Sequence, residues 1–303
     1  MKIVITNDQG LTKDQFARIN SLGEVKFFKS LPKDKNEYLS RIKEADIIFS
    51  GGAGFSEAQN EIKNKFITVS FVSVAFLDLD MLAKNGVKVA NAPGSNKHAV
   101  TEWIIWMLIS LARKFDVFVN TDEDFRKNGE LPPINNGIAD RKITILGKGN
   151  IGSHLGGILE RMGANVRYFK RGDDLYESVG EADYVIDTLS SNQTTKKLLD
   201  AKFFESMKSG GNFISVTRSE IVDDEALIAA LDDGHLSGAA MDCGGILVGD
   251  TNDKLYIKFA KHPKIIATPH IAYNSEKSGI LGNDIAIDNI EAWLKGTPQN
   301  ILN

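Results

Sequence analysis

The run Lys142-Ile143-Thr144-Ile145-Leu146 passes without a spacer into Gly147-Lys148-Gly149-Asn150-Ile151-Gly152, and Ser153 to Met162 then carry apolar residues at helical spacing. No other feature constrains this chain as tightly. Gly147 permits a tight turn, Gly149 lets the backbone approach a ligand, and Gly152 lets a helix pack close to the strand. The first N–H groups of such a helix have no partner inside it and favour an anion. In this setting the Gly-x-Gly-x-x-Gly pattern is the dinucleotide fingerprint, with a pyrophosphate at the helix start. A strand that returns through a helix also commits the region to a parallel sheet.

The rest of the chain follows the same alternation, which implies an α/β protein with doubly wound parallel sheets. Strands are expected at Lys2 to Thr6, Ile47 to Ser50, Ile67 to Phe71 and Val87 to Ala90. A second series is expected at Lys142 to Leu146, Asn165 to Phe169, Tyr184 to Thr188, Asn212 to Ser215, Gly238 to Met241 and Ile265 to Thr268. Helical spacing fits Thr12 to Leu22, Asn36 to Glu44, Leu79 to Lys84, Gly152 to Met162 and Glu225 to Asp233. At 303 residues two cores are expected, one for each series. Between them Ser95 to Phe115 is apolar almost all round, too short to cross a bilayer and suited to burial between domains or subunits. Thr121 to Asp140, with Pro132-Pro133 and Asn135-Asn136-Gly137, suggests a surface loop.

Composition excludes several function classes. A formal charge of -4 gives no electrostatic reason to bind nucleic acid. The opening apolar run, Met1 to Thr6, is too brief for a signal peptide or membrane anchor, so a cytoplasmic protein is expected. The single cysteine, Cys243, cannot form an internal disulfide or a cysteine-rich metal site, and it reads as a small, partly buried residue. No histidine pair has metal-ligand spacing on one helix and no Gly-x-Ser-x-Gly elbow occurs, so metal-dependent and serine hydrolases lack a starting point.

At the end of the strand after the glycine turn, where a carboxylate would bind the ribose hydroxyls of NAD(H), the chain reads Tyr168-Phe169-Lys170-Arg171. Cations there attract a 2'-phosphate, so NADP(H) is favoured, with NAD(H) the other possibility.

Further segments carry a family resemblance. Asn212 to Asp223 with Glu225-Ala226-Leu227 resembles the arginine signature of the D-isomer-specific 2-hydroxyacid dehydrogenases, and Ser237 to Asp242 continues it. Thr268-Pro269-His270-Ile271-Ala272 resembles the family's histidine motif, and Gly296-Thr297-Pro298-Gln299-Asn300 its C-terminal ending. The nearest branches in pattern are phosphoglycerate dehydrogenase and glyoxylate/hydroxypyruvate reductase. The resemblance implies a Rossmann-type cofactor domain, residues 93–271, inserted in a flavodoxin-like substrate domain formed by residues 1–92 and 272–303. It places the active site between the two domains, and it implies a homodimer through Ser95 to Phe115.

Reducing a 2-keto acid requires a hydride, a proton for the carbonyl oxygen and a fixed cation for the carboxylate. The resemblance assigns the cation to Arg218, whose planar fork matches a carboxylate, and the proton to His270. It assigns Val216, Thr217 and Asp242 to the nicotinamide, alongside Gly147, Gly149, Asn150, Ile151 and Gly152 for the pyrophosphate. Backbone amides at Val72 and Ser73 match the stretch that grips the substrate carboxylate, and Gly51-Gly52 is a candidate edge of the same pocket. One departure stands out. Relatives carry a Glu that hydrogen-bonds the catalytic histidine, and Leu247 occupies its place here. Two readings follow: a dehydrogenase acting on a small 2-hydroxy or 2-keto acid of the glyoxylate, hydroxypyruvate or phosphoglycerate type, or a low-activity nicotinamide-binding regulator resembling a redox-sensing corepressor. His98, His154, His235 and His262 lack a motif and read as surface or capping residues.

Overall fold

A computed structural model describes residues 1–114 and 136–303. Residues 115–135, which include most of the loop expected at Thr121 to Asp140 and the last residue of the helix expected to end at Phe115, lie outside the described residues. The chain divides into two compact units, Met1–His98 with Asn274–Asn303, and Ala99–Tyr273. Ala272 and Tyr273, past 271, stay with the second unit, while the backbone that follows 92 stays with the first. There Ala92 N–H donates to Phe71 O at 3.1 Å, Asn91 N–H to Asn300 O at 3.3 Å and Ser95 N–H to Ala92 O at 3.3 Å.

The first unit holds five parallel strands, β1 (Lys2–Ile5), β2 (Glu24–Phe27), β3 (Ile47–Ser50), β4 (Phe66–Val69) and β5 (Lys88–Ala90), in the order β2-β1-β3-β4-β5. Its inner strands are buried on both faces. Along β3, Ile47 and Phe49 enter one core with Ile3, Ile5 and Phe66, while Ile48 enters the other with Ile67, Val69 and Tyr38. Such two-sided burial is why these strands read as continuous apolar runs. β2 was not foreseen. Its sequence Glu24-Val25-Lys26-Phe27 is largely exposed on a sheet edge, so it carries no apolar run to betray it. The long helix Glu276–Leu294 was also missed, since Gly279, Gly282, Asn283 and Asn289 interrupt its apolar pattern. Asn289 is nonetheless buried, donating to Thr68 Oγ1 at 3.2 Å and Asn91 O at 2.9 Å.

The second unit holds six parallel strands, β6 (Lys142–Leu146), β7 (Asn165–Phe169), β8 (Tyr184–Asp187), β9 (Asn212–Ser215), β10 (Gly238–Asp242) and β11 (Ile265–Thr268), in the order β11-β10-β9-β8-β6-β7. The crossover direction reverses at β6, whose neighbours are β7 on one side and β8 on the other. In open α/β sheets ligands bind beyond the carboxyl ends of strands at such a reversal, and β6 ends in the glycine turn. The apolar helix is shorter than expected, Lys97–Ala112, and packs Val100, Trp103, Ile104, Met107 and Leu108 against Ile143, Ile145 and Ile214. Short helices at Leu175–Val179, Ala201–Ser206 and Lys254–Ala260 complete the connections. They were not foreseen because five to seven residues are too few to show a helical period. Among the described residues no helix is long and apolar enough to cross a membrane.

Candidate active site

Among the described residues most helices open with a side-chain cap. Asp34, Asp78, Asp174, Asp200, Asp223 and Asp253 each accept a backbone N–H at a helix start. The helix Asn150–Arg161 instead opens at Gly149 with no side-chain hydrogen bond. A Cβ at Gly149 would meet nothing within 4 Å, so the turn presents bare backbone to open space. At Gly152 a Cβ would stand 2.1 Å from Gly147 O, a clash that only glycine avoids. Gly147 N–H donates to Phe169 O at 3.1 Å, tying the turn to the end of β7. Uncapped amides beside exposed backbone fit a pyrophosphate.

Lys170 and Arg171 are exposed just past β7, where the Lys170 N–H donates to Asp173 Oδ2 at 2.8 Å. Lys148 of the glycine turn holds its Nζ 4.6 Å from the centre of the Tyr168 ring.

Arg218, Asp242 and His270 follow from three neighbouring strands, β9, β10 and β11, at their carboxyl ends. Arg218 is half-buried, its backbone bridged to Gly244, with Ser219 N–H donating to Gly244 O at 3.0 Å. His270 has φ of +56°, a left-handed conformation that a side chain this large adopts only under constraint. Buried Asp242 supplies the constraint. Its Oδ1 accepts from Thr268 Oγ1 at 2.6 Å and Ile271 N–H at 2.8 Å, and its Oδ2 from Ala272 N–H at 2.9 Å. Asp242 thus clamps the turn that carries the histidine. His270 Nδ1 lies 3.0 Å from Ile246 O, and the ring meets Tyr273 edge-on at 5.5 Å between centroids. Leu247 is 78% exposed.

Asp187, at the end of β8, was overlooked. It is fully buried and accepts from Thr217 Oγ1 at 2.5 Å, Leu189 N–H at 3.0 Å and Ser215 Oγ at 3.1 Å. An acidic residue closing an apolar strand beside the glycine turn was the available signal. Burial raises its carboxyl to about 6, while its hydrogen bonds pull the other way. The folded state therefore holds this proton more tightly than the unfolded chain, whose Asp titrates near 3.8. The contribution of Asp187 itself to stability is therefore greatest below that unfolded value and declines as pH rises to about 6, by an amount on the order of 3 kcal/mol. Asp187→Asn should flatten this dependence between pH 4 and 6 in urea titrations, and an unchanged slope would show that Asp187 does not carry it.

In the first unit, Gly51 and Gly52 follow β3 at that sheet's own reversal, where β1 is flanked by β2 and β3. A Cβ at Gly51 would come 2.4 Å from Asn7 Oδ1 and Gln9 Nε2, and Gly52 has φ of +88°. Val72 and Ser73 follow β4; Val72 O accepts from Asn91 Nδ2 at 2.6 Å, and Ser73 is exposed. Cys243 is buried more completely than expected, which pushes its thiol up to about 12 and makes it unreactive. His235 and His262 serve local ties, to Met207 O at 2.9 Å and Asp232 at 3.2 Å. Among the described residues no cluster of His, Cys, Asp and Glu could hold a metal.

Residues 105–272 match the model of the D-isomer specific 2-hydroxyacid dehydrogenase, NAD binding domain. The chain belongs to the D-isomer-specific 2-hydroxyacid dehydrogenase family. A Haemophilus influenzae protein assigned as a 2-hydroxyacid dehydrogenase is 26% identical over 280 residues, covering 86% of this chain and 88% of its own. D-3-phosphoglycerate dehydrogenase 1 of Saccharomyces cerevisiae is 29% identical over 283 residues, and there the match spans 84% of this chain and 59% of the relative. Among solved structures, an acyclic imino acid reductase in complex with NADPH and D-Arg superposes with a TM-score of 0.82 at 23% identity, covering both chains fully. That likeness shows the fold.

Proposed function

We propose that this dehydrogenase-family chain reduces a small 2-keto acid, of the glyoxylate, hydroxypyruvate or phosphohydroxypyruvate type, and prefers NADP(H) to NAD(H). The observation that carries the reading is the convergence of Arg218, Asp242 and His270 at the ends of three adjacent strands, in the unit that matches the family's cofactor domain. The glycine turn would hold the pyrophosphate, Lys170 and Arg171 the 2'-phosphate, and Val216 with Thr217 and Asp242 the nicotinamide. When bound, that ring supplies the hydride. Arg218 holds the substrate carboxylate in its two-pronged donor fork, which is charged at any working pH. His270 exchanges a proton with the substrate oxygen through Nε2, since Nδ1 is engaged by Ile246 O. Gly51, Gly52, Val72 and Ser73 are retained as the first unit's substrate contacts. The names of the relatives, dehydrogenases and a reductase, favour an enzyme over a nicotinamide-sensing regulator.

Homodimerisation through the helix Lys97–Ala112 belongs to the same reading. Trp106 is 55% and Ile109 40% exposed on it, an apolar surface suited to a second copy. A single buried cysteine accords with a cytoplasmic home.

A panel of 2-keto acids assayed with NADPH and with NADH, followed at the absorbance of the reduced nicotinamide, tests substrate class and cofactor together. NADPH should bind more tightly than NADH by about 1–3 kcal/mol, the worth of one or two charge-assisted contacts. Lys170→Asp should reverse the order, and equal affinities by titration calorimetry in the unmutated protein would remove the basis for the preference.

A further inference from the structure

We infer that the backbone carbonyl of Ile246 is the positioning group for His270, doing with a neutral acceptor what a carboxylate side chain would otherwise do. The inference rests on the reductase reading above for its kinetic consequence, though not for its geometry. A carbonyl oxygen only accepts, so the 3.0 Å contact requires a proton on His270 Nδ1. The neutral ring is then the Nδ1–H form with Nε2 bare, and the cationic ring gains its second proton on Nε2. Both forms keep the same bond to Ile246 O. The ring therefore takes up and releases a proton at one nitrogen without turning, as an acid and base serving a fixed substrate oxygen must.

The carbonyl is held in place by the histidine turn itself. Cys243 N–H donates to Thr268 O at 2.9 Å and Gly249 N–H to Pro269 O at 2.8 Å, so the loop between them is tied at both ends to the residues just before His270. Gly249 has φ of +75°, which lets the chain double back at the second tie. Carboxylates of the adjoining segments make bonds of their own. Asp242 accepts from Thr268, Ile271 and Ala272, Asp250 Oδ1 from Asn252 N–H, and Asp253 Oδ1 from Leu255 N–H. Leu247, where a carboxylate was expected, is directed to solvent.

The test weakens the carbonyl as an acceptor while every side chain stays in place, the Leu247 N–H being the one other group removed. Replacing Leu247 with its α-hydroxy acid, through a chemically acylated suppressor tRNA, turns the Ile246–Leu247 amide into an ester whose carbonyl accepts hydrogen bonds poorly. The same replacement at Val248 weakens Leu247 O, which accepts from Asp250 N–H at 3.1 Å, and controls for general loosening of the loop. In the unmutated protein, long-range proton–nitrogen NMR of the neutral His270 ring should show the Nδ1–H tautomer. The ester at 247 should lower kcat roughly three- to tenfold, the worth of one hydrogen bond, with KM for the keto acid nearly constant and Nε2–H tautomer appearing. The ester at 248 should leave kcat and tautomer unchanged. An Nε2–H tautomer in the unmutated protein, or an ester at 247 that changes neither kcat nor tautomer, overturns the inference. A protein that shows the Nδ1–H tautomer yet turns over no 2-keto acid with either cofactor refutes the reductase reading and supports the positioning.

Discussion

Arg218→Lys is expected to lower turnover at least about a hundredfold, a loss on the scale of removing one preorganised group that stabilises charge in a transition state. Lysine keeps the charge but offers a compact ammonium in place of the planar fork, so a carboxylate is no longer gripped at two points and the carbonyl beside it is no longer aimed. The backbone at this position has ties of its own. It is held by the bridge to Gly244, by Ser219 N–H on Gly244 O and by Ile221 N–H on Arg218 O at 3.0 Å. The variant should therefore fold normally and bind NADPH as before, with the loss shared between kcat and kcat/KM. Steady-state kinetics beside calorimetric melting and NADPH titration make the check. Undiminished turnover would mean that the arginine is structural.

Asp242→Asn is expected to reduce both stability and turnover. The carboxylate accepts from Thr268 Oγ1, Ile271 N–H and Ala272 N–H, and an amide can offer only one oxygen to those three donors. Its NH2 group then faces at least one N–H in a buried site, leaving donors without acceptors at a cost of about 1–3 kcal/mol. For a unit of this size that is a drop of several degrees in melting temperature. The kinetic effect should be larger than the thermal one suggests. Asp242 closes both flanks of His270 and holds it at φ of +56°, so loosening the clamp lets the turn relax toward an ordinary backbone conformation and carries the imidazole away from its working position. A fall in kcat of more than about tenfold is anticipated, since small displacements at a reacting centre are amplified in rate. Scanning calorimetry and kcat on one preparation decide it. A variant with unchanged melting and unchanged kcat would deny Asp242 the clamp.

Much of the second unit was legible because its signals are local. The glycine turn needs only strand, turn and helix in succession, and Ile143, Ile145, Phe213 and Ile214 announce their strands by being apolar toward both cores. Elements whose burial is one-sided or interrupted were not legible. β2 lies on an edge and is mostly exposed, and the helix Glu276–Leu294 buries Asn289, whose amide finds its partners only in the folded chain. The site shows the same division. Arg218, His270 and Lys170 are side chains whose chemistry is written in their residue types. Asp187 required knowledge of its burial, and Lys148 of the ring it crosses.

Sequence by itself determined the parallel α/β architecture and the glycine turn after β6, because periodicity and glycine geometry are properties of short segments, and Arg218 and His270 were nominated by the family resemblance of their own segments. Only the tertiary structure decided how His270 is held. The residues around it are bonded to an aspartate of the neighbouring strand β10, and its ring meets the carbonyl of Ile246. Every residue but proline carries the same backbone donor and acceptor, so which of them faces a given side chain is fixed by the path of the folded chain, and no residue name records it.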